Sequence, residues 1–170
     1  FRLAVLPTIA PYLLPRFFQQ LSEKHTDLDI RMLEMKTAPT MAALQNGEID
    51  AAIIANQPTE SYLQGDILYY EQFFGYVAHN ESIFKKDLIR TADINDERLW
   101  LLDEGHCFRD QLMRFCQMEK VKVRQAAYRL GSLETFMRMV ESGNGITFIP
   151  ELATLQLSKE QKELVRPFAI

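Results

Sequence analysis

The chain has 170 residues, of which 47% are hydrophobic and 25% are charged, so it can bury a core and its composition excludes wholesale disorder. Its net charge of −4 and the lack of a basic stripe make this segment a poor candidate for binding DNA itself. It has no apolar run of about 20 residues to span a membrane and no signal peptide. Two cysteines are too few for a disulfide-stapled scaffold, and no Cys/His cluster has zinc spacing.

The first seventy residues alternate short apolar runs with helical patterns. Prolines, Asn46 and Gly47 mark the turns and helix ends. The predicted elements are a strand over 2–6, a helix over 11–25, a strand over 28–35, a short helix from 39 to 45 and a strand over 50–55. This βαβαβ order predicts a parallel sheet with right-handed crossovers.

The rest of the chain also alternates strands and helices after a polar loop at 56–65. We predict strands over 68–79, 99–102, 121–128, 146–149 and 165–170, a helix from about 106, and a helix over 132–142 capped by Ser132. The sequence therefore predicts an α/β fold with two similar subdomains around a cleft. We expect the first subdomain at 1–70, the second, with the cysteine helix, at 71–165, and a return crossover at 166–170.

Both cysteines lie in one segment, nine positions apart. The apolar stripe of Phe108, Leu112, Phe115 and Cys116 predicts an amphipathic helix that starts near His106, with Asp103 or Gly105 near its N-cap. Cys107 then falls in the first turn, where unpaired N–H groups and the helix dipole favour an anion.

Helix geometry places the two thiols on opposite sides of such a helix. Nine residues correspond to about 900° of rotation and about 13 Å of rise. A disulfide needs Cα atoms within about 7 Å, so a Cys107–Cys116 bond would require the helix to unwind. The pattern alone leaves two hypotheses open, a redox switch or two structural cysteines. His106 and Arg109 favour a thiolate at Cys107, whereas Asp110 opposes it if its carboxylate points back.

Several motifs resemble those of LysR-type transcriptional regulators. Residues 44–50 (LQNGEID) and 139–150 (MVESGNGITFIP) are similar to two recurrent sequences of the regulatory domain in that family. Residues 103–111 (DEGHCFRDQ), followed by Phe115 and Cys116, closely resemble the redox segment of its peroxide-sensing members. The resemblance runs over nearly all 170 residues and implies a fold like that of the periplasmic binding proteins.

The resemblance also implies roles for individual residues. Cys107 matches the peroxide-reactive cysteine and Cys116 its disulfide partner, while His106 and Arg109 match neighbours that support Cys107. Thr8 and Thr37 match threonines that hold peroxide, although position alone favours capping of adjacent turns. The chain departs from the family pattern at Leu130-Gly131-Ser132 and over residues 121–126.

The implied function is a cytoplasmic, peroxide-sensing regulatory domain rather than an enzyme, without a cofactor or metal. Hydrogen peroxide would oxidise Cys107 to a sulfenic acid, and its disulfide with Cys116 would remodel residues 103–120. This change would alter oligomer and DNA-binding geometry, so that the regulator activates antioxidant genes. The expected partners are a second copy in a dimer or tetramer, RNA polymerase, a thiol reductant, and DNA through an N-terminal helix-turn-helix; no membrane contact is expected. We expect the chain to be part of a longer protein that supplies this helix-turn-helix and a final strand and helix completing the first subdomain.

Two other classes of function remain open from the sequence. A thiol peroxidase would use the same two cysteines but would turn over continuously with a reductant. A metabolite-binding regulator or solute receptor would use the cleft and ignore the cysteines.

Overall fold

The computed structural model describes residues 1–58, 60–94, 96–102, 106–116 and 131–169. The chain forms two compact units, Phe1–Tyr69 with Gly105–Phe108, and Tyr70–Glu104 with Arg109–Ile170. Each unit contains both strands and helices, which confirms the predicted α/β fold. The strand predicted over 121–128 and the N-cap predicted at Asp103 or Gly105 lie outside the described residues. None of the described helices is long and apolar enough to cross a membrane.

The first unit is a βαβαβ arrangement, as predicted. Its sheet contains the strands Arg31–Glu34 (β2), Arg2–Val5 (β1) and Ala51–Ile53 (β3) in that order, with all three parallel and β1 in the centre. Val5 at the end of β1 pairs with Glu34 at the end of β2 and with Ile53 at the end of β3. The loops that follow these strands therefore start from one edge of the sheet, which is where ligands of parallel α/β sheets bind. The elements are β1 (Arg2–Val5), α1 (Ala10–Lys24), β2 (Arg31–Glu34), α2 (Thr37–Gln45) and β3 (Ala51–Ile53).

Two element starts in this unit differ from the prediction. The strand expected from residue 28 begins at Arg31, and Leu28 is 51% exposed, so its apolar side chain does not mark a buried strand position. The helix expected from residue 39 begins at Thr37. Pro39 is tolerated in this first turn because N–H groups there have no partner within the helix.

The second unit contains an antiparallel sheet with the strands Ile146–Pro150 (β5), Phe73–Val77 (β4) and Val165–Pro167 (β6) in that order. The buried side chains of Tyr76, Phe148 and Ile149 form part of its core. Short 3₁₀ helices occupy Ser82–Lys85, Thr91–Asp93 and Asp96–Arg98. The named elements are β4 (Phe73–Val77), α4 (Leu133–Glu141), β5 (Ile146–Pro150), α5 (Glu151–Thr154), α6 (Lys159–Lys162) and β6 (Val165–Pro167). The cysteine helix, α3 (Cys107–Phe115), begins in the first unit and continues into the second.

Helix α4 forms within the range predicted for it, and a glycine shapes the turn after it. The Ser132 side chain accepts a hydrogen bond from the Thr135 N–H, as predicted for a cap. The buried residues of α4 are Leu133, Phe136, Met137 and Val140. Gly145 has a φ of 78°, and a Cβ there would collide with the Arg98 carbonyl oxygen. Only glycine fits this turn, which brings the start of β5 against residues 98–100.

Other predicted elements of the second unit are wrong in their extent. The strand expected over 68–79 begins at Phe73, and residues 99–102 form only one isolated bridge, between Leu99 and Ile146. The strand expected over 165–170 ends at Pro167. The return crossover expected over 166–170 stays a prediction; among the described residues, β6 pairs with β4 and the Ala169 N–H donates to the Ile89 carbonyl.

Candidate thiol site

A small recess in the first unit brings together residues from three separate parts of the chain. It lies beside the loops that follow β1 and β2, at the first turns of α2 and α3. Its empty space is about 140 Å³, including adjoining solvent. The lining residues are Leu6, Pro7, Thr8, Lys36, Thr37, His106 and Cys107.

Cys107 is the buried thiol of this recess. It is the first residue of α3 and is only 5% exposed. Its side chain belongs to an apolar cluster formed largely by β1 and the start of α1. This position gives the thiol two neighbouring environments, an apolar wall and the N-terminal end of a helix, whose partial positive charge favours an anion. Both Cys107 and Cys116 are free thiols.

The two threonines predicted for the site both line the recess. Thr8 is 5% exposed and lies between β1 and α1, while Thr37 is the first residue of α2. The N-cap residues of α1 and α2 are Ile9 and Lys36, and neither uses its side chain as a cap. Neither threonine therefore occupies the N-cap position of these helices.

The Thr37 hydroxyl is buried and has no hydrogen-bond partner among the described residues. Leaving such a group unpaired costs about 1–3 kcal/mol. Thr40, one turn later in α2, differs because its hydroxyl donates to the Lys36 carbonyl at 2.9 Å. The recess therefore contains a hydroxyl that a small oxygen-containing ligand could satisfy.

Arg109 does not line the recess. Its Nη1 atom donates a hydrogen bond to the Leu102 carbonyl at 2.9 Å. This bond links Leu102 to the first turns of α3. Within the described residues, Arg109 therefore links Leu102 to α3 and is not among the residues that line the recess.

Cys116 follows the last residue of α3, at the opposite end of the helix from Cys107. Its N–H donates to the Leu112 carbonyl at 2.8 Å, which continues the helical hydrogen-bond pattern. The uninterrupted helix therefore keeps the thiols about 13 Å apart along its axis and on opposite sides. Burial raises the pKa of the Cys116 thiol to about 11, so this group is protonated at neutral pH.

An aromatic cluster in the second unit holds the end of α3 beside Cys116. The Phe115 ring makes edge contacts with Phe168, at 5.0 Å between centroids, and with Phe73, at 6.5 Å. Phe168 in turn stacks on Phe148 with a centroid distance of 5.7 Å. These contacts attach the last residue of α3, which directly precedes Cys116, to the second unit.

The structure brings four of the six predicted site residues into one recess: Thr8, Thr37, His106 and Cys107. It also adds Lys36, which the sequence analysis missed. Its position two residues after β2 and directly before Thr37 is the available signal, because residues after parallel strands lie at the ligand edge of the sheet. No group of three or more His, Cys, Asp or Glu side chains is placed to hold a metal ion in the described part of the chain.

The model of the family described as LysR substrate binding domain matches residues 1–170. The hydrogen peroxide-inducible genes activator of Haemophilus influenzae is 32% identical over 154 residues, which cover 90% of this chain and 50% of that protein. The chain thus spans about half the length of the curated relatives it matches.

Solved structures of OxyR proteins are similar along the whole chain. OxyR from Porphyromonas gingivalis is 58% identical with a TM-score of 0.91, and the match covers 100% of this chain and 77% of that one. An H₂O₂-bound cysteine-to-serine mutant of Corynebacterium glutamicum OxyR is 27% identical with a TM-score of 0.84, covering 99% of this chain and 53% of that one.

Proposed function

Since this chain belongs to the LysR substrate binding domain family and to its OxyR group, we propose that it is the redox-sensing regulatory domain of a peroxide-responsive transcription regulator. The observation that carries the proposal is the position of Cys107, a buried thiol at the first residue of α3 that shares a recess with Thr8 and Thr37. The H₂O₂-bound relative supports hydrogen peroxide as the oxidant.

The first chemical step is oxidation of Cys107. Its thiolate, stabilised by the N-terminal end of α3, attacks one peroxide oxygen while the Thr8 and Thr37 hydroxyls orient the molecule. An S–O bond forms, the O–O bond breaks and hydroxide leaves, so that the sulfur becomes a sulfenic acid. His106, the residue directly before α3, supports the Cys107 thiolate.

The second step joins the two cysteines. The Cys116 sulfur attacks the sulfenic sulfur, an S–S bond forms and water leaves. Because an intact α3 separates the thiols by about 13 Å, this step requires the helix to unwind. Unwinding also moves Cys116 out of its partly buried position, where its pKa of about 11 keeps it protonated, toward water, where it can ionise.

The disulfide then traps a rearranged form of the segment around α3. A disulfide can supply a few kcal/mol, which is enough to shift a two-state equilibrium strongly. In the whole regulator, we propose that this change alters a dimer or tetramer and the geometry of an N-terminal helix-turn-helix on DNA, so that RNA polymerase is recruited to antioxidant genes. The regulator would work in the cytoplasm, where a cellular thiol reductant resets it.

The test is mass spectrometry of the full chain after one equivalent of hydrogen peroxide, with dimedone present to capture sulfenic acid. We expect a Cys107–Cys116 disulfide in the wild type, a dimedone adduct at Cys107 in Cys116→Ser, and no sulfenic acid or disulfide in Cys107→Ser. Oxidation of Cys107→Ser at the wild-type rate would overturn the proposal.

A second measurement separates a sensor from a thiol peroxidase. With excess peroxide and a dithiol reductant, we expect about one rapid oxidation per chain followed by slow re-reduction. Sustained consumption of many peroxide equivalents at the rate of the first would show an enzyme instead.

A further inference from the structure

The recess beside Cys107 is nearly closed to solvent. Four of its seven lining residues, Leu6, Thr8, His106 and Cys107, are no more than 8% exposed. The hydroxyl oxygen of Thr37, which lines the same recess, is buried as well. A molecule that reaches the Cys107 sulfur must therefore be very small, or it must displace the walls of the recess.

Leu6 supplies the apolar wall that is best placed to limit the size of this molecule. The apolar lining residues are Leu6, Pro7 and Cys107. The Pro7 ring closes onto its own backbone, so Leu6 has the longest apolar side chain of the three. Leu6 is 2% exposed and belongs to the same apolar cluster as Cys107.

The backbone of Leu6 is held on both sides. Its N–H donates to the Ile53 carbonyl at 3.3 Å, which ties the end of β1 to β3. Its carbonyl accepts hydrogen bonds from the N–H groups of Ile9 and Ala10, both at 2.9 Å. The Pro7 ring also restricts the backbone directly after it. Because protein interiors are close-packed, the Leu6 side chain cannot retreat far without disturbing the cluster around it.

This wall treats small and large peroxides differently. Hydrogen peroxide consists of two O–H groups, each of which can bond to a hydroxyl such as that of Thr37. An alkyl hydroperoxide carries a carbon group on one of its oxygens. That group forms no hydrogen bonds, and it needs space that a close-packed wall provides only at the cost of strain.

We propose that Leu6 is a specificity-determining residue that restricts the recess to hydrogen peroxide and excludes alkyl hydroperoxides. The inference rests on the proposed oxidation of Cys107. With an alkyl hydroperoxide ROOH, the Cys107 thiolate would attack the oxygen that carries hydrogen, so that an S–O bond forms and the O–O bond breaks. The sulfur is oxidised by two electrons to a sulfenic acid, and the alkoxide leaves with the electron pair and takes a proton from water. In the wild type, the Leu6 side chain keeps this oxygen away from the sulfur.

The experiment measures second-order rate constants for sulfenic acid formation at Cys107 with hydrogen peroxide and with tert-butyl hydroperoxide, in the Cys116→Ser background of the full chain. The ratio of the two constants in the urea-unfolded chain gives the intrinsic preference of the thiol, because a change in thiolate fraction affects both constants equally. In the folded chain, the ratio should favour hydrogen peroxide by roughly tenfold more than in the unfolded chain, as expected for a carbon group that does not fit a pocket.

Leu6→Ala should raise the rate with tert-butyl hydroperoxide roughly tenfold and change the rate with hydrogen peroxide less than about threefold, because the shorter side chain leaves room for the alkyl group. Leu6→Val should give an intermediate rate with tert-butyl hydroperoxide. Circular dichroism checks that both variants fold, and Leu6→Val carries the test if Leu6→Ala does not.

Leu3→Ala is the matched control. Leu3 of β1 belongs to the same apolar cluster and is 8% exposed, but it does not line the recess. Its replacement also removes buried apolar surface, yet it should leave the ratio of the rate constants unchanged.

Three results would overturn the role of Leu6. These are an unchanged ratio in the folded Leu6 variants, an equal shift of the ratio in Leu3→Ala, or a wild-type ratio that equals the ratio of the unfolded chain. Failure of hydrogen peroxide to oxidise Cys107 in the wild type would instead overturn the proposed function.

Discussion

Thr37 and Thr40 lie one turn apart in α2, yet their hydroxyls differ in hydrogen bonding. The Thr40 side chain is buried and donates to a carbonyl, whereas the buried Thr37 hydroxyl has no partner in the described part of the chain. No hydrogen bond among the described residues accounts for a hydroxyl at position 37. The proposed oxidant supplies one, since a peroxide oxygen beside Cys107 could complete that hydrogen bond.

We therefore predict that Thr37→Val separates stability from function. Replacing the unpaired hydroxyl with a methyl group should leave the free energy of unfolding unchanged or raise it by up to about 1 kcal/mol. The rate of Cys107 oxidation by hydrogen peroxide should fall roughly tenfold, because one hydrogen bond to the oxidant is lost. Urea unfolding followed by circular dichroism, and sulfenic acid trapping, would measure the two effects.

The stability control is Thr40→Val, which removes a satisfied hydroxyl from the same helix. It should destabilise the chain by about 1 kcal/mol. Thr37→Ser, which keeps the hydroxyl, should oxidise at nearly the wild-type rate. If Thr37→Val destabilised the chain as much as Thr40→Val and left oxidation unchanged, the Thr37 hydroxyl would have a structural role only.

At the same residue scale, the sequence predicts the site only through resemblance. Thr8, Thr37 and Cys107 are separated by 29 and 70 positions, so no local spacing links them. The first turns of α2 and α3 could be located from sequence patterns, but their meeting at one recess depends on the fold. Lys36 was missed because a single lysine between a strand and a helix is an ordinary surface pattern.

At the scale of elements, α3 combines two requirements that conflict. It must hold Cys107 in the recess while reduced, and the proposed disulfide requires it to unwind. Arg109 fastens its first turns to Leu102, and Phe115 packs on Phe73 and Phe168 at its last turn. The aromatic contacts at the C-terminal end would then oppose the departure of Cys116.

We predict that Phe115→Ala weakens the packing of the C-terminal end of α3 against Phe73 and Phe168. Phe115 is 45% exposed, so truncation should cost about 1–2 kcal/mol, less than for a fully buried phenylalanine. Disulfide formation after sulfenic acid formation should become several-fold faster, because the reduced helix is easier to unwind. Quenched-flow alkylation and mass spectrometry would follow the disulfide, and urea unfolding would follow stability.

Leu155→Ala is a suitable comparison, because Leu155 is 57% exposed and should cost less than about 0.5 kcal/mol. It should leave the rate of disulfide formation unchanged. Disulfide formation in Phe115→Ala that is no faster than in the wild type would show that the aromatic cluster does not control the opening of α3.

Long periodic elements were easier to predict than short ones. Helices α1 and α4 carry clear apolar stripes with boundary residues, and both formed near their predicted limits. The single-turn helices α5 and α6 were missed because four residues give no period to detect. Helix α6 did have a signal, since Ser158 and Gln161 form a capping box, with Ser158 N–H donating to Gln161 Oε1 at 2.9 Å.

The apolar run at 99–102 shows a different limit of pattern reasoning. Trp100 bonds to Ile146 through its N–H, but its carbonyl accepts the Thr147 hydroxyl at 3.0 Å instead of continuing a ladder. The indole Nε1 donates to the Asn144 carbonyl at 2.7 Å. An apolar run predicts burial, which is confirmed, but tertiary side-chain bonds determined that it would not be a strand.

At the scale of the whole molecule, Glu141 connects three elements of the second unit. Its Oε1 atom accepts hydrogen bonds from Tyr76 of β4 and Gln161 of α6, both at 2.9 Å, and its Oε2 atom accepts one from Arg138 of α4 at 2.6 Å. Burial alone would raise the pKa of this carboxyl, but the bonds from Gln161, Arg138 and Tyr76 lower it below its usual value.

This lowered pKa predicts a pH-dependent contribution to stability. A carboxyl with a lower pKa in the folded chain stabilises the fold above its unfolded pKa of about 4.3, and the effect is lost as pH falls through the folded value. Glu141→Gln should therefore cost about 1–2 kcal/mol at pH 7, and this difference from the wild type should shrink below about pH 4. Urea unfolding followed by the fluorescence of Trp100, the single tryptophan, would measure it in this unit.

Glu134→Gln provides the control on the same helix. Glu134 lies 4.0 Å from Arg138 at an exposed position, so its replacement should change stability by less than about 0.5 kcal/mol at either pH. A constant difference between Glu141→Gln and the wild type from pH 7 to pH 3 would contradict the prediction. It would mean that the shape of the Glu141 side chain, and not its charge, holds β4, α4 and α6 together.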